Sequence, residues 1–429
     1  MTVSTIDFTT AGVNLVKNYR AVQAPMFVAF KKATPEWDWY DDIDEQDIDI
    51  SANTMSLPLD ITRQGGAASI PESGFEAQTY TAPMQWATLA WINLNQRWFT
   101  SFTAKFLEQR GKGGQISGAR QLKYQAMKGM QSISTRVSQM AYGFSTGYVA
   151  QTSTAAAQSS GTYTLKGGYG VAGITDAAFL AGMFAIGDWV ALVRSAALVT
   201  NAVGQVTAIS TTNGTIDVTW AGTVTSVNAD YIVFANNAIS ATAATLAAGT
   251  DYNAWPVGKL DAATSDTVHA LSGGTYPEWN AAYSTSTAGR FSAVKIRRAI
   301  QNISNQSAQT GGFDITMADG VERDFFANER SAVRYGDPNN MQLDGTYKYK
   351  NVSFRHSPNC PPGYVFVERK GAMAKFSLVP KPSDGTDSGW GDGWKAEDRN
   401  GLKFSVNFPF AFVCRSRRGL AVFSAQTEQ

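Results

Sequence analysis

At 429 residues the chain is long enough for two or three domains with cores of their own, at about 150 residues per domain. Its 36 basic residues stand against 35 acidic ones, which excludes the basic excess of a protein that grips nucleic acid by its phosphates. Two cysteines, Cys360 and Cys414, fit no metal or redox spacing and exclude a secreted disulfide scaffold.

The opening MTVSTIDFTTAG has no basic stretch followed by an apolar one, so no signal peptide is expected. No apolar run reaches the ~18 residues of a membrane span, and the expected setting is a cytoplasm. A short helix follows, capped by Thr9 or Thr10, with Val13, Leu15, Val16 and Tyr19 on its apolar side and Pro25 at its end. An acidic run comes next: Glu36, Asp38, Asp41, Asp42, Asp44, Glu45, Asp47 and Asp49, interleaved with Trp37, Trp39 and Tyr40.

From Thr54 the period becomes two, with Met55, Leu57, Leu59 and Ile61 alternating as in a half-buried strand. The turn-rich tip RQGGAASIPESG leads to a second extended limb from Phe75 to Trp98, where Trp86, Thr88, Ala90, Ile92 and Leu94 share a face. Limbs of about 20 residues at ~3.3 Å each would reach about 65 Å, so the hairpin is expected to project onto a neighbouring subunit. Over 116–149, Leu122, Ala126, Met130, Ile133, Val137, Met140, Phe144 and Tyr148 step by three and four and predict a long helix.

Residues 151–260 turn to Ala, Gly, Ser and Thr, and four strand-like pieces (DWVALV, GQVTAIS, GTIDVTW and DYIVFA) predict a small antiparallel barrel or sandwich. The segment 236–250 reads as a linker. The rest is mixed: a helix from Ala288 to Ser307, a strand from Phe313 to Met317, a helix around Val321 to Ser331, then VSFRHS, GYVFVER, KFSLV and the closing strands NFPFAFVCRS and LAVFSA.

No motif here carries catalytic chemistry. Gly168, Gly170 and Gly173 match the dinucleotide pattern, with Asp188 twenty residues beyond the first glycine, but too short a helical segment and antiparallel-type strands follow. We read the glycines as a junction and expect no cofactor. His269 and His356, the only histidines, accompany no nucleophile or metal-ligand set. The acidic run lacks the glycine and glutamate register of a calcium loop, so no metal is expected, and pairing of the arm with basic residues of a neighbour is the favoured role. Trp86, Trp91, Trp98, Phe99 and Phe102 read as core or subunit contact rather than a ligand platform.

This order of elements resembles the tailed-bacteriophage major capsid proteins of the Hong Kong 97 type, podovirus-like members in particular. The resemblance rests on the Glu72-bearing tip followed by TYTAPMQWATLAWINL, the long helix running into AYGFSTGY, the piece SGGTYPEWNA before the helix at 288–307, and the closing FPFAFVCRSRRGLAVFSA. It implies an α+β fold with an N-terminal arm (1–53), an E-loop hairpin (54–98), a spine helix and part of a peripheral domain (99–150), and an inserted β-rich domain (151–260). An axial domain with its connections (261–400) and terminal peripheral strands (401–429) would follow.

By the same resemblance the function is that of a self-assembling icosahedral shell around double-stranded DNA. It implies a homo-oligomer of hexamers and pentamers, made in the host cytoplasm, with a separate scaffolding protein and a portal as partners, no membrane, and a decoration protein left open. Subunit contacts are expected at Arg63, Ile70, Glu72 and Phe75 of the E-loop and at Trp37, Trp39, Asp41 and Asp42 of the arm. Arg120, Lys123 and Lys128 are the expected genome-facing residues. No lysine lies between Lys32 and Lys105, so the founding member's lysine–asparagine cross-link cannot run from this loop. Rival readings are a tail tube or fibre component, or an enzyme such as a glycosidase with a carboxylate pair.

Overall fold

A computed structural model describes residues 34–43, 49–51, 54–59, 85–90, 92–101, 114–142, 148–153, 157–168, 176–194, 197–226, 230–235, 267–307, 312–332, 352–377, 394–395 and 401–428. The helix expected before Pro25 lies outside them. The chain divides into two units, one of Met1–Asp42, Trp91–Ser138 and Lys375–Ala411, the other of Ile43–Ala90, Gln139–Ala374 and Phe412–Gln429.

The first unit is built on a five-stranded sheet. Strand β1 (Asp41–Asp42), β18 (Met373–Ser377), β20 (Gly401–Cys414) and β19 (Trp394–Lys395) lie in that order, and β5 (Ile92–Ser101) also pairs with β20. The β5–β20 ladder is antiparallel over ten residue pairs, from Gly401 opposite Ser101 to Phe410 opposite Ile92.

Helix α1 (Pro35–Trp39) opens with proline at its first turn, where the missing N–H costs nothing. Its Trp37 is buried edge-on against Phe408 at 5.0 Å and Phe410 at 5.9 Å between ring centroids. Lys375 reaches the same residue twice, donating to the Trp37 carbonyl at 2.7 Å and lying 5.1 Å above its ring. Helix α2 (Gly114–Met140) is about 40 Å long at 1.5 Å per residue and buries Met130, Ile133 and Val137 at the expected spacing. It stops nine residues before the expected end: Gly143 and Gly147 follow, and Tyr148 belongs to a strand instead.

The second unit holds a closed antiparallel barrel of six strands. They are β6 (Tyr148–Thr152), β7 (Ala157–Gly168), β8 (Trp189–Arg194), β9 (Ala197–Ser210), β10 (Thr215–Thr225) and β11 (Tyr231–Phe234), in ring order β10-β7-β6-β11-β8-β9. Four of these match the expected strands; β6 and β7 are additional. Strand β7 escapes a hydrophobic reading because Tyr163 and Leu165 are its inward residues while Thr162 and Thr164 face out.

The barrel interior suits small side chains: Ala191, Val193, Val203 and Val233 form one cluster. At Gly204 an added Cβ would lie 2.5 Å from the Thr219 carbonyl oxygen, so only glycine fits there. Its entry and exit strands are hydrogen-bonded neighbours, with Tyr231 opposite Gln151. The barrel therefore enters and leaves the chain at one place.

The mixed sheet of the same unit runs β14 (Tyr283–Thr285), β21 (Leu420–Phe423), β17 (Val365–Arg369), β15 (Phe313–Met317) and β16 (Val352–His356). Its outer pairs are parallel and its inner pairs antiparallel. Helix α4 (Ala293–Ser307) follows Phe291, and α5 (Asp319–Ala332) carries Phe325; ring contacts link Phe423 to Phe291, Phe291 to Phe325 and Phe325 to Phe354. Helix α3 (Ala177–Gly182), capped by the Asp176 carboxylate, belongs to the barrel. The two closing strands part company: β20 pairs with β5, β21 with β17 and β14.

Candidate assembly surfaces

The expected hairpin begins as a three-stranded antiparallel sheet, β2 (Asp49–Ser51), β3 (Thr54–Leu59) and β4 (Gln85–Ala90). Met55, Leu57 and Leu59 point inward with Ala87 and Leu89, as the period of two requires. On the outward face Trp86 stands opposite Pro58 and is 55% exposed. Residues 60–84, with the expected contacts Arg63, Ile70, Glu72 and Phe75, lie outside the described residues.

A histidine holds this hairpin base. Strands β12 (Thr267–Val268) and β13 (Leu271–Ser272) are joined by His269 and Ala270, both in the left-handed region at φ 54° and 62°. That turn normally selects asparagine and glycine, so the conformation is strained. Three contacts hold it. The His269 carbonyl accepts the Thr88 amide of β4 at 3.0 Å, its Nε2 accepts the Cys414 amide at 3.0 Å, and Trp279 donates to the Val268 carbonyl at 3.3 Å. Tyr276 adds a hydrogen bond to Gln85 at 3.1 Å. Burial, reinforced by Arg417, pushes the imidazole down to about 3, so it is neutral at neutral pH. His269, with Tyr276 of the piece SGGTYPEWNA, thus clamps the hairpin base, a role the composition does not announce.

The arm residues divide sharply. Trp37 serves the core of its own subunit and Trp39 is half-buried, whereas Asp41 and Asp42 are exposed on edge strand β1. Asp42 lies 3.8 Å from Lys375, a weak surface pair. The expectation that Trp37 meets a neighbour is therefore corrected: acids flank it, but α1 turns it inward onto Phe408 and Phe410.

Among the expected genome-facing residues Lys128 is exposed and reaches Gln131 at 3.5 Å. Arg120 and Lys123 lie on α2 where only the backbone is described. Of the aromatic series, Trp98 and Phe99 lie in β5, while Trp91 and Phe102 lie outside the described residues. Gly168 ends a strand paired antiparallel on both sides, and α3 is six residues long, so the glycine pattern has no βαβ unit around it. His356 is exposed and meets Glu322 at 2.9 Å.

Sequence reading missed a basic helix face. Arg290, Arg297 and Arg298 are exposed beside and along α4, with Val294 at 74% exposure between them. Arg298 lies 5.1 Å above the Tyr283 ring. The signal was there: residues 279–313 contain four basic residues and no acidic one.

No family model matches the chain, and neither does any curated protein. Solved structures do. The capsid of cyanophage A-1(L) is similar over 92% of this chain and 93% of its own, with a TM-score of 0.50 at 11% identity. The chain has the Hong Kong 97-type capsid fold. The capsid of a native GTA particle covers 92% of this chain and 90% of its own at 10% identity and a TM-score of 0.40. That of cyanophage P-SCSP1u covers 91% and 86% at 8% identity and 0.40. A closed six-stranded barrel is present in the same chain.

Proposed function

We propose that the chain is the major capsid protein of a tailed bacteriophage, whose copies form hexamers and pentamers of an icosahedral shell around double-stranded DNA. The observation that carries this reading is the likeness to the cyanophage A-1(L) capsid across nearly the whole of both chains. The β3–β4 hairpin is the base of the E-loop, held by His269. Residues 1–53 are the arm, α2 the spine helix, and strands β14–β17 with α4 and α5 the core of the axial domain, to which β21 of the terminal 401–429 segment is paired.

On this reading the protein works by geometry. Each subunit shares several weak interfaces, and their sum holds the lattice. A near-neutral chain suits close packing of like subunits, since strong self-repulsion would oppose it. A scaffolding protein and a portal are the further partners, and the virion is the destination. Shortening residues 63–76 tests the E-loop role. The expected product is soluble and folded but fails to close shells; normal shells from that variant would sink it.

A further inference from the structure

Two turns of the second unit carry positive charge that their own chain does not answer. The first, Arg369–Ala372, follows β17. There the Ala372 amide donates to the Arg369 carbonyl at 3.0 Å, and Gly371 takes φ 80° at the third position. The second precedes β21, where the Gly419 amide donates to the Ser416 carbonyl at 3.0 Å. They are locked side by side. The Ala372 carbonyl accepts the Arg415 amide at 2.8 Å and the Ser416 amide at 3.2 Å. At Gly419 an added Cβ would lie 2.7 Å from the Ala372 Cβ, so the turns meet without room for a side chain.

Residues 369–371 and 415–419 hold five basic residues and no acidic one. Two of the five are engaged within the chain. Arg418 donates to the Glu278 carbonyl at 2.7 Å and lies 3.4 Å from its carboxylate, and Arg417 is fully buried. The side chains of Arg369, Lys370 and Arg415 have no hydrogen bond or ion pair among the described residues. Lys370 is exposed and lies across Gly312, while Arg369 and Arg415 are half-buried. The Arg369 Nε is shut off from water without a partner, and burial pulls the guanidinium below its ordinary value. An unmet buried donor on a cation costs folding free energy, and an anion would offset it.

Nothing apolar accompanies these charges. Ala372, Met373 and Leu420 are buried, and the exposed large apolar side chains among the described residues lie at Ile50, Trp86, Met127, Ile186 and Val294. A protein partner brings apolar contact to the centre of its interface, whereas a phosphodiester backbone asks only for cations and polar donors. Arginine forks match phosphate oxygens. Gly371 is exposed and an added Cβ there would meet nothing within 4 Å, so a backbone can come close. We infer that these two turns form a phosphate-backbone site for double-stranded DNA, with Arg369, Lys370 and Arg415 as its cations. This rests on the capsid reading and names the surface each copy offers to the DNA it encloses. A chain near neutrality binds weakly through one such patch, and a shell repeats the patch on every copy.

The test is fluorescence anisotropy of a labelled DNA duplex titrated with the full chain, as salt rises from about 50 mM to about 200 mM. Arg369→Gln, Lys370→Gln and Arg415→Gln together remove the charges and keep polar side chains. That variant is expected to bind at least about tenfold more weakly, with a salt slope smaller by about three. Lys370→Gln alone, at an exposed position, is expected to lower the slope by about one. It decides the matter if circular dichroism shows the triple variant unfolded. Arg323→Gln removes an exposed cation paired with Asp319 at 3.2 Å and is expected to leave the slope unchanged.

A wild-type chain that binds no duplex, or a folded triple variant with unchanged affinity and slope, overturns the inference. So does a control variant that weakens binding as much as the triple one. Poly-glutamate that displaces the duplex at equal charge would give the turns to an acidic protein and overturns it too. Electron microscopy of the same preparations separates this site from the reading beneath it. Wild-type protein that forms no shell in any condition defeats the capsid reading. Wild-type shells whose duplex binding ignores the three cations defeat only the site.

Discussion

The barrel and the mixed sheet sit in one unit yet are held together by different physics. The barrel closes its own ring of hydrogen bonds and fills it with small aliphatic side chains, fastened by Tyr163 and Trp220, whose indole donates to the phenol at 2.7 Å. An ion pair, Arg194 with the buried Asp230 at 2.7 Å, lies between its own strand β8 and the residue before β11. The mixed sheet instead gathers distant segments. Its strand β21 comes from near the chain end, and Gln426 and Glu428 beyond it bind Lys295 and the Gly363 amide. It also buries charge: Arg355 meets Asp314 at 2.6 Å and Glu368 at 3.8 Å. A region inserted at one point can be self-sufficient; a region assembled from many points is tied to the whole chain.

The comparison can be broken most forcefully at Arg355. Replacing it by Met removes the cation that faces two buried carboxylates, and a loss of about 3–5 kcal/mol is expected. Denaturant unfolding of the sheet would measure it, and a loss under about 1 kcal/mol would remove the ion cluster from the account.

A pH series sharpens the same point at His269. The folded imidazole stays neutral down to about 3, whereas an unfolded one takes a proton near 6.5. Between those values the unfolded chain binds more protons, so this group's contribution to stability falls as pH drops below about 6.5. His269→Gln keeps an acceptor for the Cys414 amide and is expected to flatten that part of the melting profile. An unchanged slope would place the titration elsewhere.

Smaller is Tyr163→Phe in the barrel, expected to cost about 1–3 kcal/mol because the Trp220 N–H is left buried without its partner. Smallest of all is excision. Replacing 148–235 by a short flexible linker is expected to leave the melting of the mixed sheet nearly unchanged, since β6 and β11 are neighbours. A collapse of that sheet would show that the barrel is not self-sufficient.

How legible each region was follows from the same difference. Period-three and period-two patterns marked α2, β3 and most barrel strands, because burial on one face writes itself into local order. Strand β7 stayed hidden, its inward positions being few among threonines and serines. The His269–Ala270 turn carries none of the asparagine or glycine that usually betrays its backbone, so the clamp on the hairpin became visible only with Thr88 and Cys414 beside it. Trp37 misled for the opposite reason. Its acidic neighbours suggest a surface segment, and only the long-range approach of Phe408 and Phe410 turns it inward. Non-local contacts of this kind leave no period to read.

Electron microscopy of the purified protein, alone and co-expressed with its neighbouring genes, tests the central claim most directly. Closed isometric shells, or rings of five or six subunits, are the predicted result. Tubes, fibres or persistent monomers under both conditions would contradict it.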